Sequence, residues 1–382
     1  MKKSWWRKQA DLDEHQKRVV DLPTDGKYLL TGPPGSGKTN LLLLRAMYLS
    51  SASLKDVIFL TVGRTLKEFI ATGVGAKGLL GTEQIDTYRT WVMRFLAEHS
   101  PQFMNTKPVG DYDDTQALYV AELDRVTQSM PPLYDAIVVD EVQDLLEREL
   151  VCLTRLSSRL MVAGDIRQQI YSGGKGVDAA LVLGFEHVRL RYHYRIGRRI
   201  CEVADSVYPP VPVTDSLSQT CNYDEKEFAS SVQLTSASSL EEQVELALQE
   251  IRVQLSAFPG ESIGIFVPKN KQIDQIRDQL LESDLGSLVA VHESKQGASR
   301  GFDESRRIYV MTVYSAKGTE FRAVHVLAAE GLRGRAGTRK LVFTAFTRAK
   351  TSLSVYYTGK VQGFIASAFA KPTTPTLEEL FE

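Results

Sequence analysis

Short apolar runs alternate with longer segments of helical periodicity along most of the chain. The alternation extends through residues 1 to about 195 and resumes at 232. The strands predicted in the second stretch are VQLTS, IGIFV, IYVMTV, AVHVLA and LSVYY, with helices over 240–255 and 269–283. The first of these helices repeats Val244, Leu248, Ile251 and Leu255 at helical spacing, which marks a core-facing side. Alternating strands and helices predict α/β domains with parallel sheets.

The pattern predicts two domains, at 1–195 and 196–382, with a small insertion in the first at about 92–136. A length of 382 residues is sufficient for two domains of ordinary size. The contents of 43% hydrophobic and 24% charged residues are typical of a globular protein.

One apolar run leads into a glycine-rich turn and then into an apolar helix. The segment KYLLTGPPGSGKTNLLLL contains the P-loop pattern GxxxxGK[ST] between a strand and a helix, as that motif requires. Its residues are Gly32, Pro33, Pro34, Gly35, Ser36, Gly37, Lys38 and Thr39. In such a loop, backbone N–H groups surround phosphate oxygens, Lys38 reaches the β- and γ-phosphates and Thr39 binds Mg²⁺. The sequence therefore predicts binding of a nucleotide, ATP, with Mg²⁺.

A second apolar run, in AIVVDEVQDLLE at 136–147, ends in three carboxylates: Asp140, Glu141 and Asp144. Crowded acids repel one another, so one interpretation is a solvated turn before a polar helix start. Next to a P-loop, however, magnesium and Lys38 would offset the repulsion. Asp140 then supplies a second Mg²⁺ contact and Glu141 accepts the proton of the attacking water.

Charge, cysteine content and the apolar runs exclude several classes of protein. With 46 basic and 47 acidic residues, the chain has no net field that attracts nucleic acid, so any such binding must come from local clusters. The three cysteines show no CxxC spacing, which argues against a disulfide framework and a zinc site. The N-terminus lacks the apolar core of a signal peptide, and no run is long enough to span a bilayer. We therefore expect a cytoplasmic protein without a membrane partner.

The string YDAIVVDEVQD resembles the DEXQD signature of superfamily 1 DNA helicases of the UvrD/Rep type. Further segments resemble that family in the expected order: LDEHQKRVV, VIFLTVGRTLKEFI, IDTYRTW, MVAGDIRQQIY, LRYHYR, VMTVYSAKGTEF and LVFTAFTRAK. The resemblance implies two tandem RecA-like P-loop domains with parallel sheets and ATP in a cleft between them.

The resemblance also implies roles for individual residues. Gln16 would read adenine and Tyr194 would stack on it. Gln168 would sense the γ-phosphate, and Arg195 and Arg348 would act as arginine fingers. Gly318 and Glu320 would lie at the nucleotide, with Glu320 near the ribose.

Nucleic-acid contacts follow from the same segments. The candidates are Thr61, Arg64, Thr87, Tyr88, Arg89, Trp91, Tyr171, Thr312 and Tyr314. Arg64 and Arg89 are candidate phosphate contacts. The aromatic residues are candidate base-stacking platforms, and the alternative for each is a place in the core. The family commonly places a base-stacking tryptophan after QQIY, but this chain has Ser172, Gly173 and Gly174 there.

The chain resembles a compact member of the family. Larger members have an accessory domain between the HYR and SAKG segments, whereas here that interval is occupied by the second core domain. The resemblance implies an ATP hydrolase that translocates 3′ to 5′ on single-stranded DNA or a tailed duplex. Such a motor would be monomeric or partner-dependent and would act with a partner such as a nuclease in DNA repair, recombination or defence against foreign DNA.

Three alternatives belong to other classes. The first is a regulatory subunit that ATP and DNA gate and that switches a partner such as a nuclease without processive unwinding. The second is an RNA motor, which DEVQD disfavours. The third is a small-molecule kinase, which would need neither Arg195 and Arg348 nor a second α/β domain.

Overall fold

The chain folds into two compact units, Met1–His193 (unit 1) and Tyr194–Glu382 (unit 2). The structure, a computed structural model, describes residues 12–52, 54–63, 67, 80–106, 110, 112–169, 173–292 and 305–370. Within these ranges no helix has both the length and the apolar character needed to cross a membrane.

Unit 1 contains a six-stranded sheet in which every pair of neighbouring strands is parallel. Its strands are β1 (Lys27–Thr31), β2 (Val57–Thr61), β3 (Ile85–Thr87), β4 (Ala136–Val139), β5 (Leu160–Gly164) and β6 (Glu186–Arg189). Their order in the sheet is β3-β2-β4-β5-β1-β6. Strands β4 and β5 therefore lie between β2 and β1, although they come much later in the chain.

Helices connect these strands. The α-helices described in unit 1 are α1 (Glu14–Val20), α2 (Lys38–Ser51), α3 (Tyr88–His99), α4 (Pro101–Thr106), α5 (Tyr112–Thr127), α6 (Glu147–Leu156) and α7 (Gly176–Val182). The described residues of the predicted insertion at 92–136 include the rest of α3, then α4, α5 and the segment that leads from α5 to β4. Because Tyr119, Leu123 and Val126 of α5 pack in a core beside the sheet, the insertion is integrated into unit 1.

The sequence of β4 explains its central place. Ile137 and Val139 pack into one hydrophobic core, whereas Ala136 and Val138 pack into a second core. Successive side chains of a strand point to opposite faces, so a strand covered on both faces must be apolar throughout. All four residues of β4 are buried, as this rule requires.

The strand order brings three chain segments to one edge of the sheet. β5 pairs with β4 on one side and with β1 on the other, and all three run in the same direction. The P-loop follows β1, Asp140 follows β4 and Asp165 follows β5. Their side chains thus start from neighbouring positions at the carboxyl ends of parallel strands, where open α/β sheets place ligands.

Unit 2 contains a second six-stranded parallel sheet, in the order β7-β12-β11-β8-β10-β9. Its strands are β7 (Ser231–Ala237), β8 (Ile263–Val267), β9 (Val289–Val291), β10 (Ile308–Thr312), β11 (Phe321–Val326) and β12 (Ala349–Thr358). The α-helices described are α8 (Arg198–Val207), α9 (Leu240–Ala257), α10 (Asn270–Glu282), α11 (Arg339–Phe346) and α12 (Gly363–Phe369). These two sheets with their helices confirm the prediction of two α/β domains with parallel sheets.

Two strands of unit 2 begin at least two residues earlier than their apolar patterns predict. β11 starts at Phe321 and β12 starts at Ala349, because the two strands pair with each other from these residues onward. β12 also pairs with β7 over seven residues, Ser352 to Thr358. Backbone pairing on both sides therefore extends β12 over polar positions that the hydrophobic pattern leaves out.

The core of unit 2 contains a buried histidine. His325 on β11 is fully buried, and its Nε2 lies 2.8 Å from Oε1 of Gln254. Its Nδ1 lies 3.2 Å from the hydroxyl of Tyr356. Burial lowers the pKa of His325 to about 3, because a charged imidazole would lose its hydration there. The folded protein therefore holds this side chain neutral.

Because the pKa of His325 is lowered in the folded protein, we expect the protein to lose stability in mild acid. Below pH 6.5, His325 binds a proton in the unfolded chain but stays neutral in the folded protein. The contribution of His325 to folding stability is therefore fully present above pH 6.5 and decreases as the pH falls toward about 3. Between pH 7 and pH 5 the free energy of unfolding should fall by up to about 2 kcal/mol from this residue alone. Urea denaturation of wild type and His325→Asn at both pH values measures the difference.

The variant should be less stable than wild type at pH 7 but should show a smaller decrease at pH 5. The matched control is His187→Asn, which changes an exposed histidine of unit 1. An equal pH dependence in wild type and His325→Asn would show that His325 does not carry this effect.

Candidate nucleotide and nucleic-acid site

The P-loop connects β1 to α2 through a backbone that glycine permits. Gly35 and Gly37 have φ angles of 81° and 89°, a left-handed conformation that residues with a Cβ rarely adopt. At Gly32 a Cβ atom would lie 2.8 Å from Cβ of Leu190, so the loop passes too close to its neighbour for a side chain. The glycine spacing read in the sequence is therefore a requirement of this loop.

Two side chains reach across the loop. The Lys38 ammonium donates hydrogen bonds to the carbonyl oxygens of Gly32, at 2.7 Å, and Pro33, at 3.1 Å. The buried Gln16 donates from Nε2 to the carbonyl oxygen of Ser36 at 2.9 Å. Its Oε1 accepts from the backbone N–H of Asp13 at 3.2 Å, within the capping box of α1. Gln16 thus ties α1 to the P-loop, and its contact with adenine remains a prediction.

Thr39 and Asp140, the two predicted Mg²⁺ contacts, lie together. The Thr39 hydroxyl donates to Oδ2 of Asp140 at 2.5 Å, and the Glu141 backbone N–H donates to Oδ1 at 2.9 Å. Burial and the neighbouring charge of Glu141 raise the pKa of Asp140 to about 7, although the Thr39 hydrogen bond and the charge of Lys38 oppose this shift.

These residues fit Mg²⁺ and ATP in three respects. A hydroxyl and a carboxylate are the hard oxygen donors that Mg²⁺ prefers. The Ser36 hydroxyl in the loop is buried and has no hydrogen-bond partner within the described residues. The glycines of the loop also carry no side chain, so its backbone N–H groups can approach phosphate oxygens closely.

A chain of hydrogen bonds continues from Glu141 to Gln168. Glu141 itself has a left-handed backbone, with φ of 59°, and its carboxylate accepts a hydrogen bond from Nε2 of Gln143. Oε1 of Gln143 accepts from the backbone N–H of Asp165 at 3.1 Å. Oδ2 of Asp165 accepts from Nε2 of Gln168 at 2.8 Å. The predicted base and the predicted γ-phosphate sensor therefore belong to one polar network.

In unit 2, Glu320 is held between two cations. Its carboxylate lies 2.5 Å from Nη1 of Arg195 and 2.7 Å from Nζ of Lys350. Burial alone would raise the pKa of Glu320, but the charges and hydrogen bonds of Lys350 and Arg195 outweigh it and hold that pKa well below its usual range. Glu320 is thus an anion that fixes the predicted first arginine finger.

The other predicted nucleotide residues of unit 2 lie near the starts of β11 and β12. Arg348 is buried and donates to the carbonyl oxygens of Thr344, at 2.9 Å, and Thr319, at 3.3 Å. Gly318 has a φ of 81° in the turn before Glu320. Tyr194 is half-buried. Their roles at the nucleotide remain predictions.

Two aromatic candidates for base stacking lie in the core instead. Trp91 is 1% exposed and Tyr88 is 3% exposed, with ring centroids 5.7 Å apart. The Trp91 indole N–H donates to the Tyr134 hydroxyl at 3.0 Å. A ring enclosed by side chains offers no face to a base, so the interpretation of Trp91 as a stacking platform is wrong and the core alternative holds. Tyr88 packs in the same core but also lines a cavity, so its contact with nucleic acid stays a prediction.

The threonine candidates are buried as well. Thr61 and Thr87 are register partners at the ends of β2 and β3. The Thr87 hydroxyl caps α3 by accepting from the Thr90 backbone N–H at 3.2 Å. Thr312 lies at the end of β10, with its hydroxyl 3.0 Å from that of Ser315. All three threonines lie at strand ends and Thr87 also caps a helix, and their contact with nucleic acid stays a prediction.

Two candidates are partly exposed. Arg89 lies over the ring of Tyr112, with its guanidinium carbon 5.5 Å from the ring centroid, and Tyr314 donates to the carbonyl oxygen of Arg335 at 2.8 Å. Arg89 also lines a cavity of about 310 Å³, whose wall includes Gly173 and Glu149. Arg64 and Tyr171 lie outside the described residues.

Sequence reasoning missed three residues of these networks. Gln143 was recognised as part of DEVQD but not as the bridge to Asp165, and Asp165 itself follows an apolar strand just as Asp140 does. Lys350 lies two residues after Arg348, at the start of β12. A polar residue at the end or start of a predicted strand is the shared signal.

Comparison with protein families gives two matches. An AAA domain matches residues 16–174, which include Gln16, the P-loop, the DEVQD segment and Gln168. A UvrD-like helicase C-terminal domain matches residues 307–356, which include Glu320 and Arg348. The curated proteins contain no significant match. Together with the P-loop geometry, these matches show that the chain belongs to the UvrD/Rep-like superfamily 1 helicases, which are ATP-dependent nucleic-acid motors.

Proposed function

We propose that this chain hydrolyses ATP to translocate 3′ to 5′ along single-stranded DNA. One observation carries the ATPase part of the proposal. Thr39, Asp140 and the hydrogen-bonded chain from Glu141 to Gln168 meet at the carboxyl ends of β1, β4 and β5. The family supports the choice of DNA and the direction of movement.

Several residues of unit 1 have distinct roles in the proposed hydrolysis of ATP. Lys38 neutralises charge on the β- and γ-phosphates, and Thr39 with Asp140 would hold Mg²⁺, which supplies further neutralisation when bound. Glu141 accepts the proton of the attacking water. Gln143 orients the Glu141 carboxylate by donating to it, and through Asp165 it couples that carboxylate to Gln168.

The family implies nucleotide roles for residues of unit 2 as well. Arg195 and Arg348 would stabilise the charge that develops in the transition state, Tyr194 would stack on adenine, and Gln16 of unit 1 would read adenine. Gly318 and Glu320 lie at the nucleotide, and Glu320 additionally orients Arg195 through their ion pair. An arginine whose position is fixed before the reaction loses less conformational entropy in the transition state.

We propose that the DNA strand passes Arg89 and the cavity beside it in unit 1, and Tyr314 in unit 2. Gly173 lines this cavity where the family commonly has a tryptophan. A stacking platform contributes about 1 to 3 kcal/mol per base, so its loss weakens the grip on the strand without abolishing it. Arg64 and Tyr171 are proposed as further contacts.

A second candidate function is a regulatory subunit that ATP and DNA gate. One observation favours it: between Arg195 and Ser315, the described residues form β7 to β10, α8 to α10 and the segment at 208–230 that joins α8 to β7. Those described residues hold no further domain. A motor this compact would act with a partner, such as a nuclease, in DNA repair, recombination or defence against foreign DNA.

Substitutions of Lys38 and Glu141 should impair different steps of ATP hydrolysis. Lys38→Ala should abolish hydrolysis, because the γ-phosphate loses its cation. Glu141→Gln should bind Mg·ATP normally but hydrolyse it at least about 100-fold more slowly, because it cannot accept the proton. Equilibrium nucleotide binding and steady-state turnover measure both effects. Glu147→Gln, which changes an exposed carboxylate at the start of α6, is the control. Near-normal turnover in Glu141→Gln would exclude Glu141 as the base.

The arginines should act on turnover more than on affinity. Arg195→Ala and Arg348→Ala should each lower turnover far more than nucleotide binding, because a finger interacts with transition-state charge. Arg252→Ala is the control, since Arg252 is an exposed arginine of unit 2 that is paired with Asp284.

Arg348 also bonds to two backbone carbonyls, so thermal unfolding of its variant must be measured in parallel. Equal losses of binding and turnover, or a large loss of stability, would mean that these arginines maintain the ground state or the fold.

A comparison of polymers tests the proposed function. Steady-state turnover should rise most with single-stranded DNA, less with duplex DNA and least with RNA. On end-labelled single strands the protein should move 3′ to 5′, yet it should unwind long duplexes poorly, because each base-pair step costs about 1.4 kcal/mol and Gly173 stands where the family commonly has a stacking tryptophan. Stimulation by DNA without movement would favour the regulatory subunit, and stronger stimulation by RNA would favour an RNA motor.

A further inference from the structure

Two of the three cysteines, Cys201 and Cys221, have neighbouring side chains in unit 2. Cys201 is on α8 and Cys221 follows it by 20 residues, on the segment that leads to β7. Their Sγ atoms lie within 4.8 Å of each other. Both thiols point at the carbonyl oxygen of Ile196, at 3.5 Å from Cys201 and 3.4 Å from Cys221. The spacing of the cysteines along the chain did not predict this pair.

The surrounding structure holds the two cysteines together. Asp205 lies one helical turn after Cys201 on α8, and its carboxylate accepts hydrogen bonds from the backbone N–H groups of Leu217 and Ser218, both at 3.0 Å. The Ser218 hydroxyl donates to the same carboxylate at 3.0 Å. The segment that carries Cys221 is therefore fastened to the helix that carries Cys201, and the buried Leu217 adds an apolar contact.

The two thiols differ in access and in acidity. Cys201 is buried, and burial raises its pKa, whereas Cys221 is half-buried. Once Cys221 is ionised, the Cys201 thiol donates to its sulfur instead of to the Ile196 carbonyl, and this hydrogen bond lowers the pKa of Cys221 to about 7. The thiolate is the nucleophilic form of cysteine, so Cys221 is the more reactive of the two and Cys201 is placed to react second.

We propose that Cys201 and Cys221 form a redox-active dithiol that hydrogen peroxide closes into a disulfide. The Cys221 thiolate attacks one peroxide oxygen, the O–O bond breaks, and Cys221 becomes a sulfenic acid with release of water. The Cys201 thiol then attacks the sulfenic sulfur, the S–S bond forms and a second water leaves. The two thiols lose two electrons and two protons in total, and the peroxide is reduced to two waters.

Closure would change the backbone next to Arg195. A disulfide requires the sulfur atoms to approach to about 2.05 Å, so both side chains must rotate. The Ile196 carbonyl then loses both thiol donors, and Ile196 directly follows the arginine that pairs with Glu320. The inference concerns a modification site and does not depend on the proposed function, since no nucleotide or nucleic acid takes part.

The experiment uses the full chain, reduced and then freed of reductant. After treatment with hydrogen peroxide, thiols are counted under denaturing conditions and unreduced peptides are mapped by mass spectrometry. Wild type should fall from three thiols to one, with a peptide that links Cys201 to Cys221, and dithiothreitol should restore all three. Cys152→Ser is the matched control because Cys152 is also buried, in unit 1, and it should fall from two thiols to none.

Single variants assign the order of the two steps. In Cys201→Ser, the sulfenic acid on Cys221 should persist and be captured by dimedone, whereas in Cys221→Ser the buried Cys201 should remain a thiol. Disulfides between chains, oxidation of Cys152 at a similar rate, or the absence of the Cys201–Cys221 peptide would overturn the proposal. Stoichiometric zinc in the purified protein that blocks peroxide oxidation would also overturn it. The wild-type result needs no variant, so a variant that fails to fold leaves the test intact.

Discussion

A buried carboxylate at the end of an apolar strand is the constraint on which unit 1 depends. β4 must be apolar on both faces to occupy the middle of the sheet, yet it ends in Asp140, which is 1% exposed. An ionised carboxylate there loses hydration, a cost that hydrogen bonds must offset. The donors are the Thr39 hydroxyl and the Glu141 N–H. Because Thr39 lies in the first turn of α2 and Asp140 directly follows β4, this one hydrogen bond joins the P-loop helix to the strand that precedes the acids.

The residues after Asp140 also form hydrogen bonds that hold the end of β4 in place. Glu141 has a left-handed backbone, which costs a residue with a Cβ about 1 to 3 kcal/mol and persists only where the surroundings enforce it. Gln143 provides part of that enforcement, because one end of its amide donates to Glu141 and the other accepts from the Asp165 N–H. A glutamine can bridge in this way because its side chain is both a donor and an acceptor. The network therefore couples the ends of β4 and β5.

Unit 2 also contains a carboxylate just before the start of a strand, that of Glu320, and it is stabilised by positively charged side chains. Glu320 and Arg348 directly precede Phe321 and Ala349, which are register partners on β11 and β12. Burial of Glu320 is offset by Arg195 and Lys350, which supply both charge and hydrogen bonds. Ion pairs with well-aligned hydrogen bonds are the arrangement in which buried charge is tolerated. The Ile196 carbonyl links this cluster to the Cys201 and Cys221 thiols through the adjacent backbone.

The sequence by itself determined the two α/β domains, the P-loop and the acids after β4, because these depend on local periodicity and on residue types at short, fixed spacings. The strand order was decided by tertiary structure, and with it the meeting of Thr39, Asp140 and Asp165, since pairing between distant strands leaves no local pattern. Burial was decided in the same way: the sequence allows Trp91 and Tyr88 to be either platforms or core residues, and packing places both rings in the core. The Cys201–Cys221 pair arose because Asp205 binds the segment before Cys221, a contact between residues 12 and 13 positions apart that no spacing rule contains.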